Sequence, residues 1–123
     1  MARIKGPTAT HFASGNSLQI IDDAALTGTA IVSTSAFEDI GTIKKACKNK
    51  LTVLGNLNGV EMRRWTTENA HKNVRDLIMN AAPGGGFIIS DNHGEIPFQV
   101  PDEVLSAISE AVRIYGKYPI ALT

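Results

Sequence analysis

The chain is 123 residues long, which suits one ordinary domain and leaves little room for a second. Hydrophobic residues make up 43% and charged residues 20%, a globular balance that excludes wholesale disorder. Twelve basic side chains offset twelve acidic ones, so no net field draws the chain to nucleic acid or an anionic membrane.

Taken in chain order, the first strand-sized apolar run is 8–12, which leads into His11-Phe12-Ala13-Ser14-Gly15-Asn16. Leu18, Ile21 and Ala25 then fall three and four apart, a helical spacing. A second strand at 30–33 ends in Ser33-Thr34-Ser35, and Ile40, Ile43 and Cys47 mark the next helix. The third strand, 51–54, runs into the turn-rich Gly55-Asn56-Leu57-Asn58-Gly59. Trp65 precedes a helix start, as a staple residue does, with Thr66 and Thr67 able to cap and Glu68 in the first turn. Val74, Leu77, Ile78 and Ala81 give that helix its apolar stripe, and Pro83 followed by Gly84, Gly85 and Gly86 stops it. A fourth strand at 86–90 opens into Asp91-Asn92-His93-Gly94-Glu95-Ile96-Pro97. Pro101, Asp102 and Glu103 begin the last helix, which carries Val104, Ile108, Ala111, Val112 and Tyr115 before Gly116, placed where a left-handed C-cap is common.

Four strand–helix units in series imply an α/β domain with parallel pairing, spanning 1–123 as one unit. Two architectures satisfy this pattern: a small open sheet with helices on both faces, or half of a (β/α)8 barrel. In either case the polar loops gather at the C-terminal edge of the strands, where parallel α/β proteins build their sites. Glycine–asparagine pairs also occur in ordinary turns, and His11 by itself reads as a core histidine bonded to backbone. His93, beside Asp91, Asn92 and Glu95, reads as functional. Cys47 belongs to an apolar stripe and reads as structural, and His71 sits on a solvated helix face. The single cysteine permits no internal disulfide, the apolar runs fall short of the ~20 residues of a membrane helix, and the first residues lack a signal-peptide core. Together these features lead to the expectation of a soluble cytoplasmic protein.

Two segments carry a family resemblance. Thr52-Val53-Leu54-Gly55-Asn56-Leu57-Asn58 resembles the Gly-Asn-Leu-Asp strand-and-loop motif of the uroporphyrinogen decarboxylase family. Gly86-Phe87-Ile88-Ile89-Ser90-Asp91-Asn92-His93-Gly94 resembles its strand ending in Gly-His-Gly, followed by the Val-Pro-Asp-Glu helix start, here Val100-Pro101-Asp102-Glu103. His11 through Gly15 resembles the His-x-Cys-Gly element of the related corrinoid and coenzyme M methyltransferases.

The resemblance covers the last four strands of that family's barrel. It implies a C-terminal half-barrel that is covered by association, as a homodimer or with a separate N-terminal half-chain, and that is inactive alone. It also implies catalytic roles for His93 and His11, and ligand contacts at Asn16, Asn56, Asn58, Ser90, Asp91 and Asn92. Zinc in the methyltransferases is held by a His-x-Cys pair and a later cysteine; here Ala13 replaces the first cysteine and His93 stands near the second. His11, His93 and Glu95 would be the remaining zinc set. Methyl transfer to or from a corrinoid or a thiol, with a corrinoid protein as partner, is the implied activity. The alternatives are uroporphyrinogen decarboxylation and a non-catalytic assembly module. Loops without basic residues argue against a polycarboxylate porphyrinogen, although Arg63 and Arg64 follow closely on the third loop.

Overall fold

The computed structural model describes residues 5–12, 16–91 and 96–120. Its strands are β1 (Ala9–Thr10), β2 (Ile31–Ser33), β3 (Thr52–Leu57) and β4 (Phe87–Asp91). They form a four-stranded, all-parallel sheet in the order β1-β2-β3-β4. The helices are α1 (Ile21–Leu26), α2 (Ile40–Cys47), α3 (Thr67–Ala81) and α4 (Asp102–Tyr115). Two 3₁₀ turns, Leu18–Ile20 and Glu61–Arg64, precede α1 and α3.

The strand order separates the two architectures that the alternation left open. Helices reach both faces of a parallel sheet only where the strand order reverses, because each right-handed crossover otherwise lands on the same side. Here the order is strictly sequential. All four units therefore wind one way, as in half of a (β/α)8 barrel, and the open doubly covered sheet is set aside.

Burial follows the same division. Val32 and Val53 are completely buried and Leu57 nearly so, facing the helix layer with Ile43, Cys47, Val74 and Ile78. Small residues line the contact between α3 and α4, where Ala70, Ala81, Ala107 and Ala111 are buried with Val74 and Val104. The strand register pairs Ile31 with Thr52, Ser33 with Leu54, Leu54 with Ile88 and Asn56 with Ser90. By alternation these side chains share the opposite face. That face includes Ile88, which is 42% exposed.

Three local features differ from the sequence-based expectation. First, β3 runs to Leu57, three residues past the predicted 51–54, so Gly55 and Asn56 belong to the strand rather than to a loop. Gly55 has φ +148°, and a Cβ there would sit 2.5 Å from Thr34 Oγ1 and 3.1 Å from its carbonyl oxygen. Only glycine allows the β2–α2 loop to cross so closely. Second, Thr66 does cap α3, but its reciprocal partner is Asn69: the Thr66 hydroxyl accepts from the Asn69 amide at 3.1 Å, and Asn69 Oδ1 accepts from the Thr66 amide at 3.2 Å. Third, Gly116 is not left-handed, because its φ is −91°. Glycine is needed there because a Cβ would lie 2.5 Å from the Val112 carbonyl oxygen. Among the described residues, the left-handed non-glycine position is Asn49, with φ 64°, in the turn between α2 and β3.

Candidate functional site at the carboxyl edge of the sheet

At the end of β1, His11 is exposed, and its Nδ1 lies 2.9 Å from Ser33 Oγ at the end of β2. The same hydroxyl accepts the Phe12 amide at 2.8 Å, which ties the start of the first loop to the second strand. Ser33 is buried, so its hydroxyl is held in place by two neighbours that need it. With the imidazole proton on Nδ1, His11 donates to Ser33 and keeps the Nε2 lone pair for a ligand or a proton. With the proton on Nε2, Ser33 donates instead.

A second cluster organises the adjoining loops around Glu38. Ser35 and Glu38 bracket a tight turn, with the Glu38 amide donating to the Ser35 carbonyl at 3.2 Å. The Glu38 carboxylate accepts the Ser35 amide at 3.1 Å through Oε2, the Ser17 amide at 2.5 Å through Oε1, and the Ser17 hydroxyl at 3.0 Å and 3.1 Å. Ser17 is completely buried. One carboxylate thus joins the β1–α1 and β2–α2 loops. From β3, Asn56 Nδ2 donates to the carbonyls of Ser35 at 2.8 Å and Glu38 at 3.1 Å, so three successive loops are fastened to one another.

These bonds redistribute the candidate residues. Asn56 and Ser90 are register partners and share the helix-free face with Ser33. Asp91, buried at the end of β4, falls on the opposite face with Leu57, and the Ser90 hydroxyl lies 3.4 Å from its Oδ1. Asn16 and Asn58 close turns: Asn16 Oδ1 accepts the Leu18 amide at 3.3 Å, and Asn58 Oδ1 accepts the Glu61 amide at 3.2 Å. Asn92, His93 and Glu95, together with Ala13, lie outside the described residues.

Glu38 and Ser17 were not singled out from the sequence. The signal was there in Ser35-Ala36-Phe37-Glu38, the Ser-x-x-Glu spacing of a capping box just before an apolar helix. Trp65 is half-buried against the core, in keeping with a packing role. His71 is less solvated than expected, since it is half-buried and its Nε2 lies 3.9 Å from Glu110 across the α3–α4 contact. Cys47 is completely buried, and burial pushes its thiol up to about 11, with Lys44 and Lys50 pulling weakly the other way. At the start of α2, the Thr42 hydroxyl 2.6 Å from Asp39 holds that carboxyl below its ordinary range.

Among the described residues, no three His, Cys, Asp or Glu side chains converge as a metal set would. Of the expected zinc ligands His11, His93 and Glu95, His11 falls within them.

A parallel sheet wound one way, as in half of a (β/α)8 barrel, with imidazole, hydroxyl, amide and carboxylate groups at the carboxyl ends of its strands, defines a barrel-type α/β protein. The sequence model of the uroporphyrinogen decarboxylase (URO-D) family matches residues 1–115. The chain belongs to that family. A search of curated proteins gives no match. No described helix is long and apolar enough to cross a membrane.

Proposed function

We propose that the chain contributes part of the active-site rim of a methyltransferase-type member of its family, acting on a methyl donor such as a corrinoid and on a thiol. The observation that carries this reading is the chemistry of the rim. Among the described residues, the polar groups at the strand ends include His11, Ser33, Ser35, Glu38, Asn56, Ser90 and Asp91, with no lysine or arginine between them. Arg63 and Arg64 are exposed in the 3₁₀ turn beyond β3. A porphyrinogen bearing many carboxylates calls for arginine forks that grip them in pairs, and a rim without cationic side chains among the described residues offers none.

In this reading His11, steadied through Nδ1 by Ser33, takes the proton of the incoming thiol on Nε2. The thiolate sulfur then bonds the methyl carbon, and the donor's departing atom keeps the electron pair of the broken bond. The Glu38 and Asn56 bonds position the rim and take no part in the transfer. Ile31, Leu54 and Ile88 form an apolar floor below the polar rim, on the face without helices. Four further strand–helix units would cover that floor, supplied by a second copy of this chain or by a complementary half-chain.

The test is methyl transfer from methylcobalamin to a thiol, run with the chain alone and with any complementary half. Wild type is expected to turn over in the assembled state, and His11→Ala to lose about 10²-fold or more. Thermal stability should hold in that variant, because His11 is exposed. Turnover of uroporphyrinogen without methyl transfer would replace this reading with the decarboxylase. Failure of both reactions in the assembled state would leave the assembly module.

A further inference from the structure

A cleft of about 770 Å³ runs along α2 and the C-terminal end of α3, from Asp39 at the start of α2 to the end of the sheet where β3 and β4 begin. Lys44, Lys45, Lys48 and Lys50 line it, along with the glycine turn 84–86 that enters β4. Asp39 is the one acidic residue among its lining side chains. We infer that this cleft binds a phosphoryl oxyanion, free or carried on a small organic molecule, at a site separate from the carboxyl edge.

Three observations converge on that ligand. Only Lys50 of the four lysines forms an ion pair among the described residues, 2.6 Å from Asp22. Lys44, Lys45 and Lys48 are left as an excess of positive charge, with Lys44 and Lys48 one helical turn apart, where like charges repel. The helix dipole favours Lys44 and Lys45 in the last turn of α2, but it does not account for Lys48 and Lys50 beyond it. Opposite them, Gly84, Gly85 and Gly86 all have positive φ, at 84°, 79° and 71°. The Gly85 amide donates to the Ala82 carbonyl at 2.9 Å, whereas the amides of Gly84 and Gly86 have no hydrogen-bond partner among the described residues. The Lys44 ammonium lies over this turn, 3.7 Å from where a Cβ of residue 86 would stand. Gly84 and Gly86 are exposed, so their amides are open to a ligand beside the Lys44 ammonium.

The cleft volume exceeds what a lone phosphate fills and matches the range of small-molecule pockets. An extended nucleic acid is disfavoured because the chain has no net positive charge.

This inference does not depend on the methyl-transfer reading. Its test is titration of the full chain at low ionic strength with pyrophosphate, inorganic phosphate and ribose 5-phosphate, followed by calorimetry and amide NMR. Saturable one-site binding is expected, with the largest amide shifts at Gly84 and Gly86. Lys44→Ala and Lys48→Ala should each weaken it roughly tenfold, the worth of one charge-assisted hydrogen bond. Both variants should melt with the wild type, and Lys72→Ala, on α3 outside the cleft lining and paired with Asp76, should bind normally. Tighter binding of the ester than of free phosphate would identify the carried form, and equal binding the free anion. Absence of saturation would overturn the site. So would equal weakening by Lys72→Ala, or tighter binding of an RNA duplex.

Discussion

The two ends of this sheet use polar side chains in opposite ways. At the carboxyl edge, the Glu38 carboxylate, the Ser33 hydroxyl and the Asn56 amide are occupied by backbone and side-chain partners from neighbouring loops. At the other end, three of four lysines face a cleft without an ion-pair partner among the described residues. Helix polarity accounts for part of this contrast. Parallel strands end beside helix N-termini, which favour acidic and accepting groups, and begin beside helix C-termini, which favour lysines. The remainder is a difference in use. The bonded end spends its polar groups on holding loops in register, while the lysine end keeps charge available.

The comparison can be broken most severely at Gly55. Gly55→Ala forces a Cβ against the Thr34 hydroxyl and carbonyl at a positive φ, so a loss of about 2–4 kcal/mol is expected from urea unfolding. A loss too small to measure would mean that the β2–α2 loop can move aside and that the carboxyl edge is not rigid. A smaller effect is expected at Glu38. Glu38→Ala leaves the buried Ser17 hydroxyl and the Ser17 and Ser35 amides without their acceptor, a cost of about 2 kcal/mol. The same change should broaden the amide resonances of both loops while leaving those of the glycine turn 84–86 sharp. Broadening at both ends would show that the two regions are not independent.

The smallest effect sits at the lysine end, in the pH dependence set by Cys47. Its folded thiol titrates near 11, above an ordinary 9.0. The folded chain therefore holds that proton after the unfolded chain has released it. The stability contribution is complete below about 9 and is lost as the pH rises through about 11. Denaturant melts of wild type and Cys47→Ala between those limits should converge on the alkaline side, and iodoacetamide should label Cys47 only on unfolding. Rapid labelling of the native chain would place the thiol at the surface.

Much of this molecule was legible in its residues. Hydrophobic spacing located all four helices, and start signals marked α3 and α4, because both are local: a stripe at three and four residues, the Thr66 cap, and Pro101, which stands just before α4 rather than in its first turn. The apolar runs located the strands. The family resemblance carried by the Gly55-Asn56 and Gly86–Gly94 segments was also readable, and the family match bears it out. The winding direction was not readable, since the same periodicity serves a sheet covered on one face or on two, and only the strand order separates them. The reason for each glycine was hidden as well. Gly116 looked like a left-handed cap and is instead a close approach to Val112, while Gly55 looked like a loop and lies in a strand beneath Thr34.

The bond of Glu38 to the Ser35 amide is local, but its bonds to Ser17 and those of Asn56 to Ser35 and Glu38 were decided by tertiary structure. These partners lie 18 to 21 residues away in the chain, and no local pattern states which loops will meet. The lysine cleft follows the same rule. Lys44 to Lys50 form a basic run in any fold, but their meeting with the glycine turn 84–86 exists only because β3 and β4 pair in parallel and bring the two connections to one end.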